Sequence, residues 1–504
     1  MKQSRRDFII NSTILGFGSM VTLSPFQKML GMGEIKKFIP RKKNVLFIAI
    51  DDLRPELGCY GHPMIKSPNI DALAKTGVLF ERTYCQQAVC APTRASLLTG
   101  RRPDTTKVYD LVTHIRKALP NVVTLQQYFK NNGYFSQGMG KLFHDGLEDP
   151  PSYSIPHDPA NGPQWLFESN IKLLEEYNKD LKINGYGKTK VKRPRPVEDA
   201  DVADDGYPDG KLAIKAVNAL KELAPKAKAK KDKQPFFLGV GFRKPHLPFT
   251  APKKYWDLYD RNKIQLPYPD KPKNAPDVAF TNWGELRFYS DIPDVGPVDE
   301  PMAQELIHGY YACVSYIDTQ IGKLLDELDK LDLRKDTIVV LWGDHGWKLG
   351  DYSMWSKHTN FEIDTHVPMI ISDPDLPKGV RTNALTEFVD IYPTLVELCG
   401  LPMPEGLEGT SDVPLFTEPK RKWKKAAFSQ FPRPHNIMGY SMRTDQYRYT
   451  EWIDRGTKEV KFRELYDLKN DPICKESIVF KPENKELVER LHEQMAAGWQ
   501  NAKP

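Results

Sequence analysis

Asn44-Val-Leu-Phe-Ile-Ala-Ile50-Asp51-Asp52 decides how this chain is read. Seven residues with no charge, ending abruptly on two carboxylates, describe a strand covered on both faces that delivers acidic side chains at its carboxyl end. The same texture recurs in Phe236-Phe-Leu-Gly-Val-Gly-Phe242, Thr337-Ile-Val-Val-Leu-Trp342 and Met369-Ile-Ile-Ser372. These four runs predict buried parallel strands. Between them lie helical patterns, clearest from about Met302 to Leu331, where Ile307, Tyr311, Val314, Ile317, Ile321 and Leu325 return at steps of three and four. Strands alternating with helices predict an α/β sandwich.

Working outward, the texture changes after about Leu401. Proline-rich loops give way to strand-like, aromatic-rich pieces, Met438-Gly-Tyr-Ser-Met442 and Tyr447-Arg-Tyr-Thr-Glu-Trp452. These predict a small C-terminal α+β subdomain over 401–504, with an antiparallel sheet and a terminal helix near Asn484 to Trp499. The catalytic α/β domain is expected over 40–400. From about Asp145 to Asp232, Pro, Gly and Lys are frequent and periodicity is weak, which predicts an excursion of loops on an active-site rim.

A length of 504 residues allows one large domain with a smaller companion. Residues 1–35 open with Ser4-Arg5-Arg6-Asp7-Phe8 and an uncharged stretch from Phe8 to Leu23. This looks like a twin-arginine export signal, too short in its apolar part for a bilayer span, and implies a periplasmic or secreted protein without stable membrane insertion. Six cysteines are too few for a disulfide framework in this length, and no CxxC pair suggests structural zinc. The net charge is +6, with local basic runs at Gly187–Pro196 and Pro225–Lys233. These are either solvated loops and a helix end or an attraction for a polyanion. No nucleic-acid motif occurs, and nucleic acid is not an expected partner.

Chemistry concentrates at the strand ends. Asp51-Asp52 follows one strand, and Asp344-His345 follows another across Gly343. Three carboxylates and an imidazole brought together require a cation. The oxygen-rich set suits Ca²⁺ or Mg²⁺, while His345 also admits Zn²⁺ or Mn²⁺. The third element is Cys90-Ala-Pro-Thr-Arg-Ala-Ser-Leu-Leu-Thr-Gly100. Pro92 suits a first helical turn and Gly100 a helix end, which puts Cys90 at a helix N-terminus, where an anion is favoured. Arg94, one turn on, adds a fixed positive charge for a sulfate or an oxyanion.

Cys-x-Pro-Thr-Arg followed by Leu-Thr-Gly resembles the maturation signature of the type I, formylglycine-dependent sulfatases of the alkaline phosphatase superfamily. The resemblance extends to their iduronate-2-sulfatase branch, through Asp51-Asp-Leu-Arg-Pro-Glu-Leu-Gly-Cys-Tyr-Gly61, Gly140-Lys-Leu-Phe-His144, Gly241-Phe-Arg-Lys-Pro-His-Leu-Pro-Phe249, Gly343-Asp-His-Gly-Trp347 and Trp355-Ser-Lys-His-Thr-Asn-Phe361. It implies a sandwich with a mixed, largely parallel central sheet. It also implies one Ca²⁺ held by Asp51, Asp52, Cys90 as formylglycine, Asp344 and His345. Sulfate-handling groups are implied at Arg94, Lys141, His144, His246 and Lys357. A formylglycine-generating or anaerobic sulfatase-maturing enzyme is an implied partner.

From those residue types, an aldehyde hydrate at position 90 offers one hydroxyl to attack sulfur and a second to release sulfate afterwards. His246 is the first candidate to protonate the departing sugar oxygen and Lys357 the second, with His144, oriented by Lys141, as the base. His62, His114, His308, His358 and His366 are expected to be structural. The expected activity is hydrolysis of a carbohydrate sulfate ester, with a 2-O-sulfate of iduronate, another uronic acid or xylose as the expected substrate. The alternatives are a phosphoester or phosphonate hydrolase of the same superfamily and a non-catalytic glycan-binding relative.

Overall fold

The run that begins at Asn44 lies inside the main sheet of the computed structural model, which describes residues 39–185, 188–281 and 284–504. Seven strands build that sheet: β1 (Asn44–Ile50), β2 (Val78–Tyr84), β3 (Phe135–Gly140), β4 (Phe236–Phe242), β5 (Thr337–Gly343), β6 (His366–Ser372) and β7 (Val380–Glu387). Their order is β3-β4-β1-β5-β6-β2-β7. Every residue of β1, β4 and β5 is buried, which is why these strands read as unbroken apolar runs.

The pairings β3–β4, β4–β1, β1–β5 and β2–β7 are parallel. The strand containing Met369–Ser372 is the exception to the expected parallel set, because β6 runs antiparallel to both β5 and β2. A strand covered on both faces carries the same apolar run in either direction, so composition alone does not give its polarity. The sheet is mixed and largely parallel.

Helices cover the sheet. The helix α1 (Cys90–Thr99) is buried along its whole length. The segment expected to be loops, 145–232, contains two long helices, α2 (Glu168–Asn184) and α3 (Pro208–Ala227). The helix α2 buries only Asn170 and Tyr177, which leaves it a weak stripe, and α3 packs largely through alanines, Ala213, Ala216, Ala219, Ala224 and Ala227. The basic run from Pro225 includes the end of α3. The expected long helix is α4 (Glu300–Lys330), whose first turn is capped by the Asp299 carboxylate accepting from the Met302 amide at 3.0 Å.

One continuous core joins Leu46, Ile48, Val240 and Leu341 of the sheet to Leu212 and Leu220 of α3 and Ile317, Ile321 and Leu324 of α4. Each fully buried aliphatic side chain there contributes about 1.5–3 kcal/mol relative to exposure. That core holds the strand ends rigidly enough to place catalytic groups.

The C-terminal sheet is an antiparallel meander, β8 (Ala427–Arg433), β9 (Ile437–Arg443), β10 (Tyr447–Asp454) and β11 (Val460–Asp467). Met442, Tyr449 and Leu465 pack under α5 (Lys485–Ala497) through Val488, Leu491 and Met495. Glu362, just before β6, ties this sheet to the main one by accepting from Arg448 at 2.6 Å and from Tyr84 at 2.7 Å. Among the described residues no helix is long and apolar enough to cross a membrane. The export signal expected in residues 1–35 lies outside the described residues.

Candidate active site

Register brings the acidic groups together. Ile50 pairs with Gly343 across the parallel β1–β5 ladder, so Asp51, Asp52 and Asp344 emerge side by side at the carboxyl edge of the sheet. Lys141 arrives from β3 through Gly140, which has φ +67°; a Cβ there would meet the Gly241 carbonyl oxygen at 2.2 Å. Only glycine allows this close crossing, which leaves the Lys141 amide donating to Gly241 at 2.8 Å. Cys90 is the first residue of α1, and Gly100 ends that helix in the left-handed conformation, φ 64°.

Asp51, Asp52, Cys90 and His345 each offer one ligand atom, and these atoms lie within 4.8 Å of one another. Cys90 Sγ is 3.2 Å from His345 Nε2 and 3.4 Å from Asp51 Oδ1. His345 Nδ1–H donates to the Gly346 carbonyl at 3.0 Å, which turns the Nε2 lone pair into the cluster. Asp344 borders this group, its Oδ1 3.6 Å from His345 Nε2. Its carboxylate also accepts from Arg94 Nε at 2.9 Å and from the amides of Asp52 and His345, both at 3.0 Å.

Three cations interleave the carboxylates. Arg94 spans Asp344 and Asp51 and also donates to the carbonyls of Lys141 and Leu142. Lys141 Nζ bonds Asp51 and lies 3.7 Å from Cys90 Sγ. It reaches those two groups rather than His144. Lys357 Nζ bonds Asp52 Oδ1 at 2.9 Å and lies over the Trp347 ring, 4.8 Å from its centroid.

The charges remain unbalanced. Burial, then Asp51, Glu285 and Asp344, push the Asp52 carboxyl well above the usual carboxylate range against the pull of Lys357. Asp51 is held well below that range because Lys141, His246, Arg94 and Lys357 outweigh its burial. Four buried carboxylates, counting Glu285, face three fixed cations. An oxygen-rich set that forces one of its own carboxyls toward protonation fits a hard divalent cation. Cys90 is pushed well above the ordinary thiol range by burial and Asp51, so its unmodified side chain is a neutral thiol.

These groups open into a cavity of about 400 Å³ that also holds His144 and His246. His246 Nδ1–H donates to the Leu247 carbonyl at 2.7 Å, so its other nitrogen, Nε2, faces the chemistry, 3.2 Å from Glu285 Oε1 and 3.8 Å from Asp52 Oδ2. Burial and then Lys357 push His246 down to about 3, opposed by Glu285 and Asp51. His144 is pushed down to about 4 by burial and Lys141, and its buried Nδ1 has no hydrogen-bond partner among the described residues. Lys357 is raised well above the lysine range by Asp52 and Glu285 despite its burial. It is therefore a poor proton donor.

Of the ten residues singled out in the sequence, Asp51, Cys90, Lys141, His144, His246 and Lys357 line this cavity, and Asp52, Arg94, Asp344 and His345 stand behind them. Sequence reasoning missed Glu285, which also lies 3.4 Å from Lys357 Nζ. It sits in an unremarkable Gly284-Glu285-Leu286 segment with no spacing signal. His358, expected to be structural, also lines the cavity. His62, His114, His308 and His366 do bond backbone groups, those of Ile65, Arg116, Trp256 and Glu81.

The chain has relatives among known proteins. The sulfatase family model matches residues 43–401, and a model of the C-terminal region of N-sulphoglucosamine sulphohydrolase matches 350–501. Iduronate 2-sulfatase of Mus musculus is 35% identical, over 85% of this chain and 89% of its own. In fold, the chain is similar to a protein solved with its substrate D-glucosamine-2-N,6-O-disulfate, with a TM-score of 0.69, 20% identity and coverage of 91% and 99%. It is equally similar to a phosphonate monoester hydrolase of Agrobacterium radiobacter, with a TM-score of 0.69, 22% identity and coverage of 90% and 95%.

Proposed function

The chain belongs to the sulfatase family and is a sulfuric ester hydrolase, and from that premise we propose that it removes a sulfate ester from carbohydrate, through formylglycine made from Cys90. The preferred substrate is a 2-O-sulfate on iduronate or another uronic acid, or on xylose, in a sulfated polysaccharide or oligosaccharide. The observation that carries this reading is the convergence in one cavity of the signature cysteine, a cation-demanding carboxylate cluster and a histidine–glutamate pair. The work is done outside the cytoplasm, after export directed by residues 1–35 and modification by a maturing enzyme.

Asp51, Asp52, Asp344 and His345, with residue 90, would hold Ca²⁺, which when bound stabilises negative charge on the sulfuryl oxygens. The hydrated aldehyde of residue 90 supplies the attacking hydroxyl and a second hydroxyl that allows sulfate to leave. The neutral, buried thiol offers neither.

Arg94 fixes Asp51 and Asp344 and contributes positive charge beside residue 90. Lys141 and Lys357 flank the same position and hold the sulfate oxygens. His246 Nε2 is the proton donor to the sugar oxygen. With Nδ1–H committed to Leu247, it carries that proton as an imidazolium, which burial disfavours and both Glu285 and an incoming sulfate favour. His144, neutral and with an unengaged Nδ1, takes the proton that releases sulfate. Lys357, pinned between Asp52 and Glu285, is an electrostatic group rather than the acid.

The test is product chromatography over a panel of defined sulfated oligosaccharides, with a phosphonate monoester included. Desulfation of a uronate or xylose 2-O-sulfate supports the proposal. Turnover confined to the phosphonate ester refutes it.

A further inference from the structure

The described part of the basic run, 188–196, is not uniformly a solvated loop. Lys192 pairs with Asp294 at 2.7 Å, and Arg195 pairs with Asp291 at 2.6 Å and Glu305 at 3.2 Å. Arg193, between them, turns the other way and lines the catalytic cavity. Its guanidinium lies over the rings of Tyr177 and Tyr289, 5.8 and 5.7 Å from their centroids. Among the described residues, no carboxylate lies within 4.0 Å of it.

The other basic groups of the cavity are engaged. Arg243 is held by Asp145 in a fork at 2.7 and 2.8 Å, and Lys244 is held by Gln164 at 3.2 Å and the Pro248 carbonyl at 2.5 Å. Lys141 and Lys357 sit on Asp51 and Asp52. Arg193, half-buried, faces the two tyrosines instead of a carboxylate among the described residues.

Its backbone is fixed as well. Arg193 pairs with Tyr289 in an isolated parallel bridge, its amide donates to the Phe288 carbonyl at 2.7 Å, and its carbonyl accepts from Ser290 at 2.9 Å. Glu285, the partner of His246 and Lys357, begins the short turn Glu285–Phe288 that leads into Tyr289. One segment therefore places the proton-donor pair and the support of Arg193 along the same cavity wall.

A guanidinium beside two tyrosines, 5.8 and 5.7 Å from their ring centroids, is held by neutral groups only, and its planar fork matches a carboxylate in two parallel hydrogen bonds. The sulfate has its own cations at Arg94, Lys141 and Lys357. We infer that Arg193, held by Tyr177 and Tyr289, binds the carboxylate of a uronic acid residue that carries the scissile sulfate. This rests on the carbohydrate sulfatase reading above and, of the uronate and xylose substrates it names, selects the uronates.

The experiment compares kcat/KM of the metal-loaded, matured enzyme on a 2-O-sulfated uronate glycoside, on its carboxyl-reduced counterpart and on a neutral sugar bearing two sulfates. The wild-type enzyme is expected to prefer the uronate by roughly 100-fold over the carboxyl-reduced compound, the value of one charge-assisted pair. In Arg193→Gln that ratio is expected to collapse toward one, with Arg193→Lys in between because it keeps charge and loses the fork. The wild-type ratio needs no variant and stands if the variants fail to fold. A ratio near one with brisk turnover overturns the clamp and leaves the sulfatase reading intact. So does an Arg193-dependent preference for the disulfated neutral sugar, which assigns the residue to a second sulfate. Sulfate release from none of the three removes the reading on which the clamp rests.

Discussion

Replacing Glu285 with Gln is expected to split the hydrolysis of sugar sulfates from that of aryl sulfates. Glu285 Oε1 lies 3.2 Å from His246 Nε2 and Oε2 lies 3.4 Å from Lys357 Nζ. Glutamine keeps the shape and removes the charge that both nitrogens face. At an effective dielectric constant of about 20, one such charge pair is worth about 5 kcal/mol. Desolvation of the buried partners offsets most of that. A remainder of about 1.4–2.7 kcal/mol corresponds to about 10- to 100-fold in rate.

Without the carboxylate, the His246 imidazolium loses the group that counters its burial, and Nε2 carries a proton less often. A sugar alkoxide needs that proton to depart, whereas a nitrophenolate leaves without it. The assay is parallel steady-state kinetics on a sulfated sugar and on p-nitrophenyl sulfate. The sugar-to-aryl ratio of kcat is expected to fall about 10- to 100-fold in Glu285→Gln, and about 10²- to 10⁴-fold in His246→Ala, where the acid itself is gone. Equal slowing of both substrates, or an unchanged rate on the sugar, refutes the proton-donor assignment and its support by Glu285.

Other consequences are simpler to check. Elemental analysis of the active wild-type protein is expected to find one Ca²⁺ per chain, and Asp51→Ala is expected to lose that metal and to abolish turnover. Glu362→Ala leaves Arg443 and Arg448 buried without their carboxylate, and calorimetry is expected to record a loss of about 3–5 kcal/mol. Burial pushes the Glu148 carboxyl up to about 7, so the charged form is disfavoured in the fold. Its contribution to stability is complete below the ordinary glutamate pKa and is lost as pH rises to about 7. Glu148→Gln is therefore expected to gain melting temperature over the wild type across that interval, and a gain largest at acid pH contradicts this.

What the sequence made legible was whatever a contiguous run encodes. The strands β1, β4 and β5 are buried on both faces and announce themselves as apolar runs, and Asp51, Asp52, Asp344 and His345 follow two of them directly. A helix from Cys90 closed by Gly100 stands in both readings. The edge strands β3 and β7 were missed because Phe135-Ser-Gln-Gly-Met-Gly140 and Val380-Arg-Thr-Asn-Ala-Leu-Thr-Glu387 mix polar with apolar residues, as strands at the sheet margin can. The helix α2 buries only Asn170 and Tyr177, too few apolar positions to register. Glu285 was invisible for a different reason: its partners His246 and Lys357 are more than thirty residues away and only the fold brings them to it.

The central claim is that residue 90 reacts as formylglycine rather than as cysteine. Peptide mass spectrometry of the segment containing residue 90, on a preparation whose sulfatase turnover has been measured, tests it most directly. The account predicts that sulfur is lost at that position in proportion to specific activity. A fully active enzyme with an intact thiol at Cys90 contradicts it.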